Sequence, residues 1–207
     1  MVFDPSVYTE FRYLAADFSA EDCSFSFRFE LVSPTQTHQF TERIAFTPVR
    51  KEREVDWLGV RSIAIMLGAV EGLSSYKAAA PPRYVIALEG MTQAGIDYLE
   101  VALREGLAEY AFRNDFPGPL SPEIVLQAPL AEEWPAEEHL TPSGDPLVPI
   151  GGGKDSVVTV ELLAAARMHP VQFAVNPNKI MYRVGRIKGH PVLAASRELD
   201  PHLLELN

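Results

Sequence analysis

The stretch that decides the fold of the C-terminal part is Leu147-Val-Pro-Ile-Gly-Gly-Gly-Lys-Asp-Ser-Val-Val-Thr-Val-Glu-Leu-Leu-Ala-Ala-Ala166. An apolar run passes through three glycines and Lys-Asp-Ser into an amphipathic segment, a pattern typical of strand, turn and helix. Gly151, Gly152 and Gly153 have no Cβ and readily adopt positive φ, so their backbone N–H groups can turn toward an anion. The N-terminus of the following helix adds unpaired N–H groups and a positive dipole. The stretch therefore predicts a phosphate-binding loop.

Two common phosphate loops do not fit the spacing. A Walker A loop requires G-x-x-x-x-G-K-[ST], whereas Val148 stands at the first glycine position and Asp155 follows Lys154. A dinucleotide-binding G-x-G-x-x-G loop beginning at Gly151 requires a glycine where Ser156 stands, and an acidic residue about 20 residues further on. Residues 172–178 contain no acid. Both of these loop types are therefore excluded.

Residues 151–156 resemble the S-G-G-x-D-S loop of the PP-loop ATP pyrophosphatases, with Gly151 in place of the usual serine. The resemblance implies that the loop grips the β and γ phosphates of ATP while a nucleophile attacks the α-phosphate. It also implies that Asp155 helps to hold Mg²⁺, that Ser156 donates to a phosphate oxygen and that Lys154 offsets charge near the pyrophosphate. An ordinary strand–turn–helix connection with glycines for tight packing is the structural alternative. The implied phosphate and metal ligands are Gly151, Gly152, Gly153, Lys154, Asp155 and Ser156.

A wider match indicates one family within the PP-loop superfamily. Residues 148–158, Asn176-Pro177 and Ser196-Arg-Glu-Leu-Asp-Pro201 together resemble the ATP-dependent UDP-N-acetylmuramoyl-L-alanyl-L-glutamate epimerases of bacterial cell-wall synthesis. The resemblance is strongest after Leu147. It implies that the terminal L-Glu of UDP-MurNAc-L-Ala-L-Glu becomes D-Glu while ATP is cleaved to AMP and pyrophosphate. Adenylation of the α-carboxylate would acidify the Cα–H, so that a base removes the proton from one face and an acid returns it to the other.

The N-terminal part, residues 1–128, is predicted to be an α+β domain. Ser24–Leu31 alternates with four apolar side chains on one face, which is typical of a half-buried strand. Phe40–Phe46 is expected to pair with it across a turn near Ser33-Pro34. Apolar residues at helical spacing predict two helices, the second with Thr92 as its N-cap. The predicted helices are 57–76 and 92–113, and short apolar runs predict strands at 84–88 and 124–127.

The C-terminal part, residues 145–207, is predicted to be the beginning of a PP-loop parallel-sheet domain, which makes the chain α/β overall. It contains strand 147–150, loop 151–155, helix 156–168 and strand 171–175, the start of a βαβ unit. Ligands bind beyond the carboxyl ends of such strands, so Asn176 is a candidate for contact with ribose or adenine. A turn-forming Asn before Pro177 is the structural alternative.

The C-terminal part is short for a parallel sheet. Only about 30 residues follow the second strand, whereas parallel sheets usually contain four or more strands with crossover helices. We therefore expect this domain to be truncated and the chain to be an N-terminal portion of a longer enzyme.

The charge of the chain argues against a nucleic-acid partner. The 18 Lys and Arg are outnumbered by 28 Asp and Glu, for a net charge of −10, whereas nucleic-acid binding requires a dense basic surface. Residues 129–144 contain acids and prolines but no Lys or Arg, which predicts a solvated linker. Five bases and no acid lie between Lys179 and Arg197. This basic run is either a solvated face or a surface for a polyanionic nucleotide sugar.

The composition predicts a soluble cytoplasmic protein with no membrane partner. The longest uncharged apolar stretch, residues 63–70, has eight residues, whereas a membrane-spanning helix needs about 20. The N-terminus lacks the basic and apolar regions of a signal peptide. Cys23 is the single cysteine and fits a reducing compartment. No feature of the sequence indicates an oligomeric state.

The acid and base of an epimerisation are not identifiable from the sequence. A lone histidine is more often a surface or packing residue, and one cysteine cannot form the pair that many cofactor-free racemases use. Another PP-loop adenylating enzyme, such as a ligase or a tRNA-modifying enzyme, and a module that binds nucleotide without turnover are the alternatives. The acidic charge and the single cysteine disfavour the tRNA-modifying class. The histidines are His38, His139, His169, His190 and His202.

Overall fold

The computed structural model describes residues 3–47, 57–118, 120–132, 145–186, 189 and 192–206. Within these residues eight strands form one mixed sheet, in the order β5-β4-β1-β2-β3-β8-β7-β6. The strands are β1 Glu10–Ser19, β2 Ser24–Val32, β3 Thr37–Phe46, β4 Arg83–Ile86, β5 Glu123–Leu126, β6 Leu147–Pro149, β7 Val171–Val175 and β8 Val192–Glu198. The helices are α1 Trp57–Glu71, α2 Leu73–Tyr76, α3 Gln93–Val101, α4 Ala108–Arg113, α5 Lys154–Ala165, α6 Lys179–Arg186 and α7 Pro201–Glu205.

The predicted hairpin of the N-terminal part is confirmed. Strands β2 and β3 pair antiparallel, with Phe29 opposite Phe40, and the turn between them is closed by Ser33, whose N–H donates to the carbonyl of Gln36 at 2.9 Å. The alternating apolar face of β2 is buried. Burial of these large side chains is the main stabilising contribution of the hairpin.

Strand β1 was not predicted, because its sequence does not keep a regular alternation. It pairs antiparallel with β2 and parallel with β4, and its register with β2 shifts between Tyr13 and Ala15. Phe11 and Tyr13 are fully buried before this irregularity. A bulge moves the apolar positions to other places in the pattern, so the period of two is lost along the strand.

The predicted N-terminal helices are confirmed, each with an interruption. Helix α1 ends at Glu71 and α2 continues after Gly72, while a π-helical turn at Ala102–Gly106 separates α3 from α4. Thr92 is the N-cap of α3, since its Oγ1 accepts from the N–H of Gly95 at 3.1 Å. The helices cover an aromatic core in which the rings of Phe11 and Tyr84 lie 5.1 Å apart.

The predicted strand–loop–helix–strand order of the C-terminal part is confirmed. Strands β6 and β7 pair parallel, and α5 begins at Lys154 and ends at Ala165, two and three residues earlier than predicted. A small separate core of Val148, Ile150, Val160 and Ala174 packs beneath α5. The α/β class is thus confirmed, while the assignment to a PP-loop domain stays a prediction.

Strand β8, which the sequence did not reveal, joins the two parts of the chain in one sheet. It pairs parallel with β7 on one side and antiparallel with β3 on the other, where Phe46 lies opposite Ala195. The predicted boundary at residues 129–144 stays a prediction, because residues 133–144 lie outside the described residues.

An ionic cluster around the buried Glu42 lies where β8 meets the N-terminal part. Nη2 of Arg197 donates to Glu42 at 2.7 Å and to the hydroxyl of Ser74 at 2.8 Å, and Nε of Arg197 pairs with the carboxylate of Glu71. Ser75 donates to the other oxygen of Glu42 at 2.8 Å. Glu42 is completely buried, so its charge depends on these partners for compensation.

Helix α7 is attached to the end of β3 by side-chain contacts. Asp200 caps α7 by accepting from the N–H of His202 at 2.9 Å, and its other oxygen accepts from the N–H of Thr41 at 2.8 Å. A ring nitrogen of His202 lies 2.8 Å from one of His38, and the other nitrogen of His38 lies 2.6 Å from the hydroxyl of Tyr8. Burial, and secondarily the neighbouring His202, lower the pKa of His38.

Replacement of Gly68 by alanine tests the packing of α1 on the sheet. A Cβ at Gly68 would collide with the hydroxyl of Tyr13 and the ring of Phe27. We expect Gly68→Ala to lower the free energy of unfolding by about 1–3 kcal/mol in urea denaturation. Gly106→Ala is the control, because no atom lies within 4 Å of the added carbon and alanine favours helix by up to about 1 kcal/mol. Equal stability of both variants would contradict the close packing.

The pH dependence of stability tests the burial of Glu42. Burial raises the pKa of Glu42, against the opposing effects of Arg197 and Ser75. A raised carboxyl pKa means that the folded state binds the proton more tightly than the unfolded state. The wild type should therefore gain stability relative to Glu42→Gln as the pH falls from about 7 toward the ordinary value of 4.5. Parallel stability curves for the two proteins, measured by urea denaturation at each pH, would contradict this assignment.

Candidate functional site

The glycine loop follows β6 and has one position that requires glycine. Gly152 has φ of 78°, and a Cβ there would lie 3.2 Å from the side chain of Met181 and 3.3 Å from that of Ile180. No atom lies within 4 Å of a Cβ built on Gly151 or Gly153. Gly152 therefore sets the turn of the loop against α6, while its two neighbours leave open space beside the backbone.

The N-terminus of α5 has no side-chain cap. Gly153 occupies the N-cap position and supplies no capping group. By contrast, Thr92, Asn178 and Asp200 cap α3, α6 and α7 with side-chain oxygens. The first N–H groups of α5 and the positive end of its dipole are consequently available to an anion.

Ser156 is directed back toward the loop. Its Oγ accepts the N–H of Gly151 at 3.0 Å, which fixes the first glycine of the loop relative to the first turn of α5. A hydroxyl that accepts one hydrogen bond still has its own proton to donate. This geometry is compatible with the predicted donation to a phosphate oxygen, which stays a prediction.

Lys154 and Asp155 lie exposed in the first turn of α5. Among the described residues there is no group of three or more His, Cys, Asp and Glu that could hold a metal ion. Mg²⁺ commonly binds through one or two carboxylates together with substrate phosphates and water. Asp155 beside an uncapped helix N-terminus suits that shared mode of binding rather than a site made of protein ligands alone.

Asn176 has a clear structural part in the sheet. It adopts φ of 46° at the end of β7, and its N–H donates to the carbonyl of Ala195 at 2.7 Å. Its side-chain oxygen accepts the N–H of Arg197 at 2.7 Å, and its side-chain nitrogen donates to the carbonyl of Arg197 at 3.0 Å. The positive φ fits the turn-forming alternative, and the amide also extends the pairing with β8 beyond the end of β7. The ribose or adenine contact stays a prediction.

A cleft of about 520 Å³ lies beside Asn176. The C-terminal part contributes Asn176, Tyr182 and Ser196 to its walls, and the N-terminal part contributes Ala45 and Thr47. This contribution of β3 was not predicted from the sequence, because it depends on the pairing of β3 with β8. No local pattern in either strand indicates that pairing.

The basic run between residues 179 and 197 divides into two environments. Lys179, Arg183 and Arg186 lie on α6 and are exposed, whereas Arg197 is held in the buried cluster with Glu42. Lys188 lies outside the described residues. The run is therefore not one continuous basic surface.

Among the described residues, the histidines considered as acids or bases lie in two separate places. His38 and His202 are in contact with each other beside α7, and His169 lies exposed before β7. His139 and His190 lie outside the described residues. Cys23 is a partly exposed free thiol with φ of 51°, in the turn before β2.

Comparison with known protein families identifies the chain. The MurL N-terminal domain family matches residues 2–207. The chain belongs to this family. The predicted family resemblance is confirmed, although it was most evident in residues 148–158 and the match extends across both parts of the sheet.

The curated relatives of this MurL N-terminal domain have one name in common. A Micromonospora protein is 36% identical over 87% of this chain and 40% of its own length. A Salinispora tropica protein is 36% identical over 87% of this chain and 39% of its own length. A Xanthomonas oryzae protein is 32% identical over 69% of this chain and 31% of its own length. Each is named UDP-N-acetyl-alpha-D-muramoyl-L-alanyl-L-glutamate epimerase.

The chain spans about 40% of the length of the Micromonospora and Salinispora relatives. No solved structure matches it. In the part of the chain that the structure describes, no helix is long and apolar enough to cross a membrane.

Replacement of Asn176 tests whether its side-chain amide stabilises the pairing of β7 with β8. Asn176→Ala removes two hydrogen bonds to Arg197 and leaves a residue with no polar side chain at a positive φ, which asparagine tolerates better than alanine, so we expect a loss of about 2–3 kcal/mol in the free energy of unfolding. Asn114→Ala is the control. Its exposed amide makes one hydrogen bond, to Tyr110, and the expected loss is below about 1 kcal/mol. Similar losses in denaturant titrations of the two variants would contradict the structural part of Asn176.

Proposed function

We propose that this chain supplies the ATP-binding part of an epimerase that converts the terminal L-Glu of UDP-MurNAc-L-Ala-L-Glu to D-Glu. The observation that carries the proposal is the uncapped N-terminus of α5 behind a glycine loop, in a chain whose relatives bear that epimerase name. The reaction belongs to peptidoglycan precursor synthesis, and its nucleotide-linked substrate places it in the cytoplasm.

ATP supplies the activation that this epimerisation requires. Removal of the α-proton beside a free carboxylate is difficult, because the resulting carbanion adds charge next to an existing negative charge. Attack of the α-carboxylate on the α-phosphorus of ATP forms an acyl-adenylate and releases pyrophosphate. The Cα–H then becomes acidic enough for a base to remove it and for an acid to return a proton on the opposite face. Water finally releases AMP and the free carboxylate of D-Glu.

The residues of the loop have distinct parts in this scheme. The N–H groups of Gly152, Gly153 and the start of α5 bind phosphate oxygens, while the N–H of Gly151 holds Ser156, whose hydroxyl adds a further donor. Asp155 binds Mg²⁺ together with the phosphates. Lys154 compensates the charge that develops on pyrophosphate as it leaves. Asn176 contacts the nucleoside at the carboxyl end of the neighbouring strand.

The assay uses the chain itself and a chimera in which it replaces the matching part of the Micromonospora relative. Each protein is incubated with Mg²⁺, ATP and UDP-MurNAc-L-Ala-L-Glu, and AMP release is measured together with the chirality of glutamate after acid hydrolysis. AMP together with D-Glu from the chimera supports the proposal. AMP without inversion indicates a ligase or another adenylating enzyme. If neither AMP nor D-Glu is formed, the proposed reaction is excluded and the chain is at most a nucleotide-binding module.

Substitution of Asp155 tests the proposed magnesium site in the same assay. We expect Asp155→Asn to lower the rate of AMP release by at least about 100-fold, because the carboxylate that binds the metal is lost. Asp145→Asn is the matched control, since Asp145 is also exposed but precedes β6, and it should keep the rate of the wild type. Undiminished AMP release by Asp155→Asn would exclude this carboxylate from the reaction.

A further inference from the structure

We infer that Arg197 is a positioning residue, which holds Asn176 at the rim of the candidate nucleotide site in a fixed relation to the N-terminal part. The inference rests on the proposed function for the identity of the ligand. The physical linkage itself rests on contacts of the described residues. Arg197 belongs to β8, which lies between β7 and β3 in the sheet.

The main chain of Arg197 holds the side chain of Asn176. Both the N–H and the carbonyl of Arg197 bind the amide of Asn176, at 2.7 and 3.0 Å. A paired donor and acceptor on a planar amide fix its orientation as well as its position. Any displacement of β8 at residue 197 is therefore passed to Asn176.

The side chain of Arg197 is held by three elements of the N-terminal part. Its guanidinium contacts Glu42 on β3, Glu71 at the end of α1 and Ser74 on α2. Glu42 is completely buried, and Ser75 occupies its second oxygen. The guanidinium of arginine is planar and has several N–H donors in fixed directions, so it fits this set of acceptors in one orientation.

The two sets of contacts converge at the cleft. The wall formed by Ala45 and Thr47 comes from the strand that carries Glu42, and the wall formed by Asn176 and Ser196 comes from the C-terminal part. Arg197 connects these walls through both its main chain and its side chain. The shape of the rim therefore depends on a residue that does not line the cleft itself.

Arg197→Lys separates positioning from charge. Lysine keeps the positive charge opposite Glu42 but presents a compact ammonium that lacks the planar fork. Arg43→Lys is the matched control. Arg43 lies on the adjacent strand β3 at a comparable side-chain exposure of 35%, against 26% for Arg197, and its partner is the exposed Asp22.

The test measures amide hydrogen exchange at residues 174–178 and 195–198 in the 207-residue chain, together with the Kd for Mg²⁺-ATP. In Arg197→Lys we expect exchange of the N–H groups at positions 176 and 197 to accelerate at least about 10-fold, and the Kd for ATP to rise about 5-fold or more. Arg43→Lys should match the wild type in both measurements. Wild-type exchange at positions 176 and 197 in a folded Arg197→Lys protein would overturn the inference.

Two further variants keep the inference and the proposed function separately testable. If the wild type binds no ATP, the proposed function fails, and the exchange comparison alone decides whether Arg197 positions Asn176. If Arg197→Lys does not fold, Glu71→Gln is measured instead, because it weakens the same cluster at its less buried carboxylate. Glu71→Gln should accelerate amide hydrogen exchange at positions 176 and 197. Unchanged exchange in Glu71→Gln would then overturn the inference.

Where ATP binds, Asn176→Ala and the double variant Asn176→Ala with Arg197→Lys should have the same Kd for ATP, since both substitutions act through the amide of Asn176.

Discussion

The placement of β8 between β7 and β3 is the constraint on which the rest of the structure depends. This strand is parallel to one neighbour and antiparallel to the other, so it makes one sheet from the two parts. The larger apolar core includes Ala195 of β8 and Leu203 of α7 beside residues of the N-terminal part, and a small second core includes Val160 of α5. The side chain of Arg197 on this strand contacts both Glu42 and Glu71. Glu42 is completely buried, and a buried carboxylate is costly unless its cationic partner keeps its geometry. The cluster therefore favours one register of β8 against β3 over a register shifted by one residue, which would also turn every side chain to the other face.

The geometry of the candidate site depends on the placement of β8 only in part. The loop and the uncapped start of α5 are local, since they lie within the β6–α5–β7 unit, and Gly152 contacts α6, the next helix along the chain. The opposite side of the site is not local, because Asn176 is held by β8 and the nearby cleft is bounded by β3. A ligand that extends from the loop to the cleft would therefore contact groups positioned by both parts of the chain.

The elements that the sequence predicted correctly are those determined by neighbouring residues. The alternation of Ser24–Leu31, the N-cap Thr92 and the glycine loop each have a local physical cause. The first two were found at their predicted places, and the loop was found two residues shorter than predicted, because α5 begins at Lys154. Strand β1 escaped prediction because a register shift breaks its alternation. Strand β8 escaped because Arg197 interrupts a short run of small side chains, and its buried acceptors are distant in sequence. Of the candidate site, the loop residues could be named in advance, whereas the contribution of β3 to the cleft required knowledge of a pairing that no periodicity encodes.

The pairing of β3 with β8 also has a consequence for folding during synthesis on the ribosome. The partners Arg43 and Glu198 are separated by about 150 residues, so β3 is synthesised long before the strand that covers its edge. Until then the hairpin of β2 and β3 presents an unpaired edge next to a strand rich in phenylalanine, a feature that invites pairing with other chains. Closure over so long a distance is slow, and slow closure extends the time spent in that exposed state. Thr41, Glu42 and Arg43 lie on this strand, and charged side chains on an edge strand are of the kind that disfavours pairing with other chains.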